Sequence, residues 1–546
     1  MGGNTKEDVD MKKRAFVSLL LAVACTTGLL AGCGSKDTSN DNSSNNAATD
    51  ETQGEAEYGD TINYGINVDT STLDPQVEND NNSEQILRQM YETLLMASDE
   101  GPQPLLAESW SCADDNVTWT FNLRHGVKFH DGSEMTADDV IATFERAKEY
   151  QLGRTATGFS AISGFEKVDD YTVNIITSEP YGALSAVMTD PVFSIMDDAT
   201  IEKYGLDIAT ELEAENGTGP YKLVSWDFNN ELCMESFPDY WGGEAPTKYL
   251  NFKTIPDSSA RLIALQTGEV DIIEKFTQED LDTLRATEGI VAETHNNNGF
   301  RIFQFGCNDP IVSNTKVRQA LVYAVDKQAV LDALYGDTAH QATDVVGEGV
   351  FGYANLGIIE QDQDKARELL AEAGYPDGFD TKIVTTPRYE KGVEMAEIVK
   401  AQLAEVGVNA EIEVLEWNSF LPYVDGITPE EFNWPIFIMG LGSMTGDADS
   451  SLRGLFTTST TGTNIRNYGF YSNAEVDELI YAAAAETDQA KRQEYYARAG
   501  EILYREDPAG IWMWGMNYTT ARTEKLQNVT VHTIGEQSFE HATILK

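Results

Sequence analysis

Cys33 is the residue whose surroundings point most directly to chemistry. It closes Leu30-Ala31-Gly32-Cys33, after Lys12, Lys13 and Arg14 and an apolar run from Ala15 through Ala24. A basic start, a short apolar stretch and small residues before a cysteine make an export signal that a peptidase can cut, leaving the thiol for lipid. The alternative is a single spanning anchor, because Cys25, Thr26 and Thr27 interrupt the apolar character only mildly. Residues 1–32 are expected to be the signal, with extra residues ahead of Met11, and lipid on Cys33 to keep the protein at a membrane outside the cytoplasm.

Other reactive side chains do not assemble into a catalytic pattern. Ser109 and Ser443 lack a Gly-x-Ser-x-Gly elbow, and no histidine is singled out as their base. His125 and His130 are five apart, which spoils the one-face geometry of a zinc peptidase helix. No catalytic metal and no cofactor are indicated. Beyond Cys25 and Cys33, Cys112, Cys233 and Cys307 are an odd, widely spaced set that reads as free thiols rather than a disulfide frame.

Charge narrows the partners. The 38 Lys and Arg stand against 90 Asp and Glu, a net charge of -52. Residues 1–32 carry four basic and three acidic residues, so the chain from Cys33 onward is near -53. Such a field repels nucleic acid and anionic lipid, so the lipid itself must hold the protein at the membrane. Residues 33–60 are almost free of apolar side chains and read as a lipidated cysteine followed by a flexible tether.

The elements that position any site begin at Thr61. Thr61 to Ile66 reads as a strand and Ser83 to Leu95 as a helix. Trp119, Phe121 and Leu123 alternate with polar residues, the period of a half-buried strand. Thr136 and Asp139 form a capping box for the next helix. Asp257 to Gly268 reads as a capped helix feeding a strand from Val270 to Ile273. A helix from Thr315 is expected to run to Leu334. The stripe from Met395 to Val406 predicts another, closed by Gly407 and followed by a strand through Ala410, Ile412 and Val414. Ser472 and Glu475 are expected to cap one more. The body is α/β, large enough for more than one core.

Several of these blocks are familiar as a set. Ala107-Glu108-Ser109-Trp110, the run from Thr118 to Gly132, and Thr136-Ala137-Asp138-Asp139-Val140 resemble the extracellular solute-binding protein family 5, the large receptors of ABC importers for peptides, nickel chelates and related solutes. Gly217 to Tyr221, Asp239-Tyr240-Trp241, Leu265 to Asp271, Val317 to Leu321 and Val476 to Ile480 agree in order, so the resemblance covers about Thr61 to Leu526. It implies a two-lobed periplasmic-binding-protein-like clamp of the large class II, cluster C type, with an extra subdomain on lobe one. Lobe one would be 61–307, lobe two 308–510, and 511–546 a C-terminal return to lobe one. The chain would cross near Phe303 to Cys307 and return near Ile511 to Trp514.

The implied function is a lipid-anchored receptor that hands short peptides or peptide-like solutes to an ABC permease pair with cytoplasmic ATPases, on the outer face of the cytoplasmic membrane. Chelated nickel, an oligosaccharide, and a surface solute sensor that does not transport are the alternatives. Relatives pair an arginine of lobe two with the ligand carboxylate, and Arg388, beside Tyr389, is the matching candidate; a plain surface arginine is the competing reading. The loop from Gly440 to Asp449 carries Met444 where dipeptide receptors carry an aspartate for the ligand ammonium, which argues against a free dipeptide held by both termini. Its Thr445-Gly446-Asp447-Ala448-Asp449 form is nearest the glutathione and oligopeptide branch, although Leu441 replaces the usual tryptophan. Trp417, Phe420, Asn464, Arg466, Tyr468, Trp512 and Trp514 complete the expected ligand contacts, with core packing the alternative for each aromatic. Asp447 is read either as a ligand contact or as a brace of its loop.

Overall fold

The computed structural model describes residues 57–77, 81–98, 101–150, 161–424, 428–443, 445–458, 466–532 and 537–546. The export signal, Cys33 and nearly all of the tether lie outside the described residues. Among the described residues, no helix is long and apolar enough to cross a membrane.

Eleven strands build one main sheet. In chain order they are β1 (Thr61–Ile66), β2 (Tyr221–Asp227), β3 (Glu231–Ser236), β4 (Tyr249–Thr254), β5 (Ile272–Glu274), β6 (Ile290–Phe305), β7 (Ala339–Gln341), β8 (Phe379–Thr385), β9 (Val408–Val414), β10 (Ile436–Leu441) and β11 (Gly510–Thr523). They lie in the order β9-β8-β10-β6-β11-β5-β1-β4-β3-β2, with β7 added to β11. The strands β8, β9 and β10 are mutually parallel in sequence direction, as are β1, β4 and β5.

The two long strands at the middle run antiparallel along nearly their whole lengths. At one end, Phe300–Phe305 of β6 also pairs with β10; at the other, Thr520–Arg522 of β11 pairs with β5. The ladder between them skips register between Arg301 and Ile302 and, more widely, between Asn296 and Phe300. That break divides the hydrophobic packing. One core gathers residues from Phe300 to Trp514, and separate cores lie around β1 and β4 and around the helix Ser258–Thr267.

A second sheet of four antiparallel strands, Ala107–Cys112, Thr118–Leu123, Thr172–Thr177 and Ile162–Asp169, carries the predicted alternation: Trp119, Phe121 and Leu123 are buried with Val140 and Phe144 of the helix Ala137–Tyr150. Thr136 and Asp139 cap that helix as expected, the Thr136 backbone N–H donating to Asp139 Oδ2 at 2.7 Å. The helix and strand around Gly407 also form, as Gly392–Glu405 and β9, with Gly407 at φ 87°.

Four expectations shift. The helix expected to Leu95 spans only Asn81–Leu87, because the Gln89 and Met90 carbonyls accept from the Tyr221 and Gly219 amides instead of continuing the turn. The helix from Thr315 ends at Ala324, and a new one, Lys327–Leu334, starts where Asp326 accepts from the Ala329 amide. Asn473, not Ser472, caps the helix Ala474–Ala485. The strand placed at Val270 begins at Ile272.

Just past the shortened helix, Glu92 is buried and accepts from Thr218 Oγ1 at 2.8 Å, Tyr240 Oη at 2.9 Å and Trp241 Nε1 at 3.0 Å, all neutral donors. Burial pushes its carboxyl up to about 7, against the pull of those bonds. Folded Glu92 therefore keeps a proton that the unfolded chain has released, and this group lowers stability as pH rises from the ordinary glutamate range to about 7, with no further loss above. Urea midpoints should show that the parent loses more stability than Glu92→Gln between pH 4.5 and 7.5; parallel profiles would refute the assignment.

Candidate functional site

Parallel strands present their loops together at one edge. The carboxyl ends of β8, β9 and β10 deliver the segment Thr386 to Tyr389, the helix Trp417–Val424 and the loop from Gly440 onward. Open α/β sheets collect ligands at such an edge. Because β6 runs antiparallel to β10, it adds Phe300 opposite Leu441 and Arg301 opposite Gly440.

The side chains there form a stack of rings and cations. Tyr389 is buried, and its hydroxyl accepts from the Gly440 amide at 3.0 Å, which ties the end of β8 to β10. Trp417 is half-buried and meets Tyr389 edge-on at 5.9 Å. Arg388 is exposed, its guanidinium carbon 4.8 Å from the Trp417 ring centroid. Arg301 is half-buried, 4.5 Å from the Tyr389 ring centroid, and donates from Nη1 to the Phe300 carbonyl at 3.1 Å. Burial pulls its pKa below the usual arginine value.

Arg301 was not among the residues singled out from the sequence. Its signal is a guanidinium inside Phe300-Arg301-Ile302-Phe303-Gln304-Phe305, an otherwise mostly apolar run whose burial the charge opposes.

The loop after β10 lies against β6 and against residues from the first half of the chain. Asn298 Nδ2 donates to the Ser443 carbonyl at 2.6 Å, and Thr189 Oγ1 donates to the Thr445 carbonyl at 3.3 Å. Nearby, Tyr181 Oη donates to Asp449 Oδ2 at 3.0 Å, and Arg453 bridges to the same carboxylate at 2.8 Å. Thr445 thus sits between the two halves, half-buried.

Other expected contacts are placed elsewhere. Phe420, Trp512 and Trp514 are packed in the core instead of on an open wall, with Trp512 2% and Trp514 1% exposed. Phe420 lies 4.8 Å from Trp434, and Trp514 lies 4.8 Å from Tyr335. Asp447 is a brace: it caps the helix Ala448–Phe456 and forms a buried 2.9 Å ion pair with Arg492. Burial raises its carboxyl while Arg492 pulls the other way. Arg466 is exposed near Gly454, and Tyr468 packs at the margin of the large core, so neither joins the ring-and-cation stack. Met444 and Asn464 lie outside the described residues.

Cys112, Cys233 and Cys307 are free, and burial raises the Cys307 thiol to about 11, away from reactivity. Asp139, Asp197 and Asp198 place carboxylate oxygens within 4.8 Å of one another. Asp139 accepts from the Thr136 and Asp198 amides and Asp197 from the Thr200 amide, so the Asp139 and Asp197 carboxylates serve as helix caps.

Residues 101–463 match the model of the bacterial extracellular solute-binding proteins, family 5. Over 447 residues the chain is 30% identical to the glutathione-binding protein GsiB of Escherichia coli strain K12, covering 80% of this chain and 86% of that protein. The fold is similar to that of HbpA2 from Haemophilus parasuis, with a TM-score of 0.80, 28% identity and coverage of 89% of this chain and 100% of that one. It is also similar to the periplasmic binding protein DppA from Helicobacter pylori in complex with the peptide STSA, with a TM-score of 0.73, 26% identity and coverage of 90% and 99%.

The contrast between core and wall predicts a stability split. Trp512→Ala should cost about 3 to 5 kcal/mol of unfolding free energy, the usual range for emptying a buried aromatic site. Arg388→Ala should stay within about 0.5 kcal/mol, as for an exposed side chain. Guanidinium melts of both variants check this; a mild Trp512→Ala would mean that its ring is not part of the core.

Proposed function

The chain belongs to the bacterial extracellular solute-binding proteins of family 5, and we propose that it is the lipid-anchored receptor of an ABC importer for short peptides or peptide-like solutes. The family is one of binding proteins, and the chain is not an enzyme. The observation that carries the proposal is the convergence of Tyr389, Trp417, Arg388 and Arg301 at the carboxyl edge of β8, β9 and β10, beside a loop that touches the first half of the chain. Rings offer faces for aliphatic or planar parts of a solute, and guanidinium groups offer forks for carboxylates.

In this reading the two halves are lobes of a clamp. Lobe one is built on β1 to β5 with the four-stranded sheet as its subdomain, and lobe two is the core from Phe300 to Trp514. This reading puts the crossing at the register breaks between Asn296 and Phe300 and between Arg301 and Ile302, facing Trp512 to Asn517. Solute closes the clamp by binding its closed form better than its open one, and a permease reads the closed form. Lipid on Cys33 and the acidic tether would keep the receptor near that permease at the outer face of the cytoplasmic membrane.

The likeness to GsiB and to the DppA complex favours peptide-like solutes. Thermal unfolding should therefore shift upward with glutathione or with peptides of three to five residues, by an amount set by RT ln(1 + [L]/Kd), about 2.7 kcal/mol at a hundredfold excess over Kd. A shift with sugars or nickel chelates alone would overturn the peptide reading. In the same preparation, Cys33→Ser should release the protein to the soluble fraction or trap the uncleaved precursor, read by fractionation with intact mass; an unmodified Cys33 in exported, membrane-retained protein would remove the lipid anchor.

A further inference from the structure

Buried arginines elsewhere in the molecule are held by carboxylates or, for Arg261, by backbone carbonyls, although Nε of Arg146 and of Arg261 has no hydrogen-bond partner among the described residues. Arg146 pairs with Asp74, Arg318 with Asp507, Arg453 with Asp449 and Arg492 with Asp447. Arg261 donates to the carbonyls of Ile255, Pro256 and Lys275. At the carboxyl edge of the parallel strands the pattern fails. Among the described residues, no carboxylate oxygen lies within 4 Å of the guanidinium of Arg301 or of Arg388, in a chain with 90 acidic residues.

The two cations feel each other. Arg388 acts repulsively on Arg301, and Glu390 is the acid whose attraction reaches Arg301 without forming an ion pair. Each guanidinium lies over an aromatic ring, Arg301 over Tyr389 and Arg388 over Trp417, and those rings meet edge-on. A ring beneath a guanidinium holds its plane while leaving the edge of the fork available to an anion. Gly440 keeps the space: a Cβ there would come within 2.6 Å of Arg301 Nη1, so a side chain would displace the cation. Two neighbouring cations, one partly desolvated and neither ion-paired, repel each other until an anion arrives, and a ligand with two carboxylates relieves both at once.

We propose that Arg301 and Arg388 form a double-arginine subsite that receives two carboxylates of one acidic, peptide-like solute. The inference rests on the solute-receptor reading above and narrows it to dianionic ligands. It also accounts for the tolerance of Met444 in the sequence pattern: selection of the solute through its acidic groups needs no aspartate there.

Titration calorimetry on the full-length chain in detergent tests this with glutathione, which carries two carboxylates, its glycine monoethyl ester, which carries one, and trialanine. Glutathione should bind roughly 30-fold or more tightly than the ester, the loss expected for one charged contact. Arg301→Gln and Arg388→Gln should each weaken glutathione binding to a similar degree. The ester should be insensitive to the variant whose carboxylate it lacks, while remaining sensitive to the other. Arg301→Lys should recover only part of the affinity, because a point charge does not match the fork. If Arg301→Gln fails to fold, the exposed Arg388 carries the same comparison. Equal affinity for glutathione and ester, or no effect of either variant, overturns the subsite. If trialanine binds as well as glutathione, the subsite falls while the peptide receptor stands; if none of the three binds, both fall.

Discussion

Everything in this molecule hangs on the pairing of β6 with β11. These strands join the part of the main sheet built on β1 to β5 to the part built on β8 to β10, and among the described residues no other ladder of the sheet spans that junction. A continuous antiparallel ladder is stiff where its hydrogen bonds are regular and yields where register is lost. Register is lost between Asn296 and Phe300, next to the two glycine positions Gly299 and Gly515, and again between Arg301 and Ile302, and the hydrophobic core resumes at Phe300. In the proposed clamp, the places where register is lost are where the two bodies would rotate as units.

The same geometry positions the proposed solute site. The parallel strands β8, β9 and β10 end together, and the antiparallel β6 brings the amino side of its core segment to that end. Arg301 thus belongs at once to β6 and to the wall of the proposed site. In the proposed clamp, a solute that engages Arg301 would touch the element that bends, so binding and movement would share one residue. On the opposite side, the contacts of Thr189 with Thr445 and of Tyr181 with Asp449 and Arg453 show how the first half of the chain meets the loop after β10.

Much of the fold is legible in the residues. Alternation at Trp119, Phe121 and Leu123, the Thr136 and Asp139 cap, and the Gly407 stop are local signals, and local structure follows them. The helix lost after Leu87 is different: its carbonyls are claimed by Gly219 and Tyr221, more than a hundred residues away, which no local pattern announces. The site was legible in part. Arg388, Tyr389 and Trp417 follow strands and carry ring or charge, and the structure brings them together. Phe420, Trp512 and Trp514 have the same composition and lie in the core, because residue type does not distinguish a ring that faces a cleft from one that fills a core. Arg301 is legible only as a charge out of place in an apolar strand, and its meaning comes from the cross-strand neighbours Gly440 and Trp514.

Movement about the β6 and β11 break is the central claim, and a distance across the mouth measures it directly. Val168, in the four-stranded sheet, and Tyr481, on the helix Ala474–Ala485, are both more than half exposed and lie on opposite sides of the crossing. Pulsed electron resonance between bio-orthogonal spin labels at these positions should give a long or broad distance distribution without solute. Saturation with the peptide that most raises the unfolding midpoint should contract it to one short, narrow distance. An identical distribution with and without bound peptide would contradict a clamp that closes on its solute.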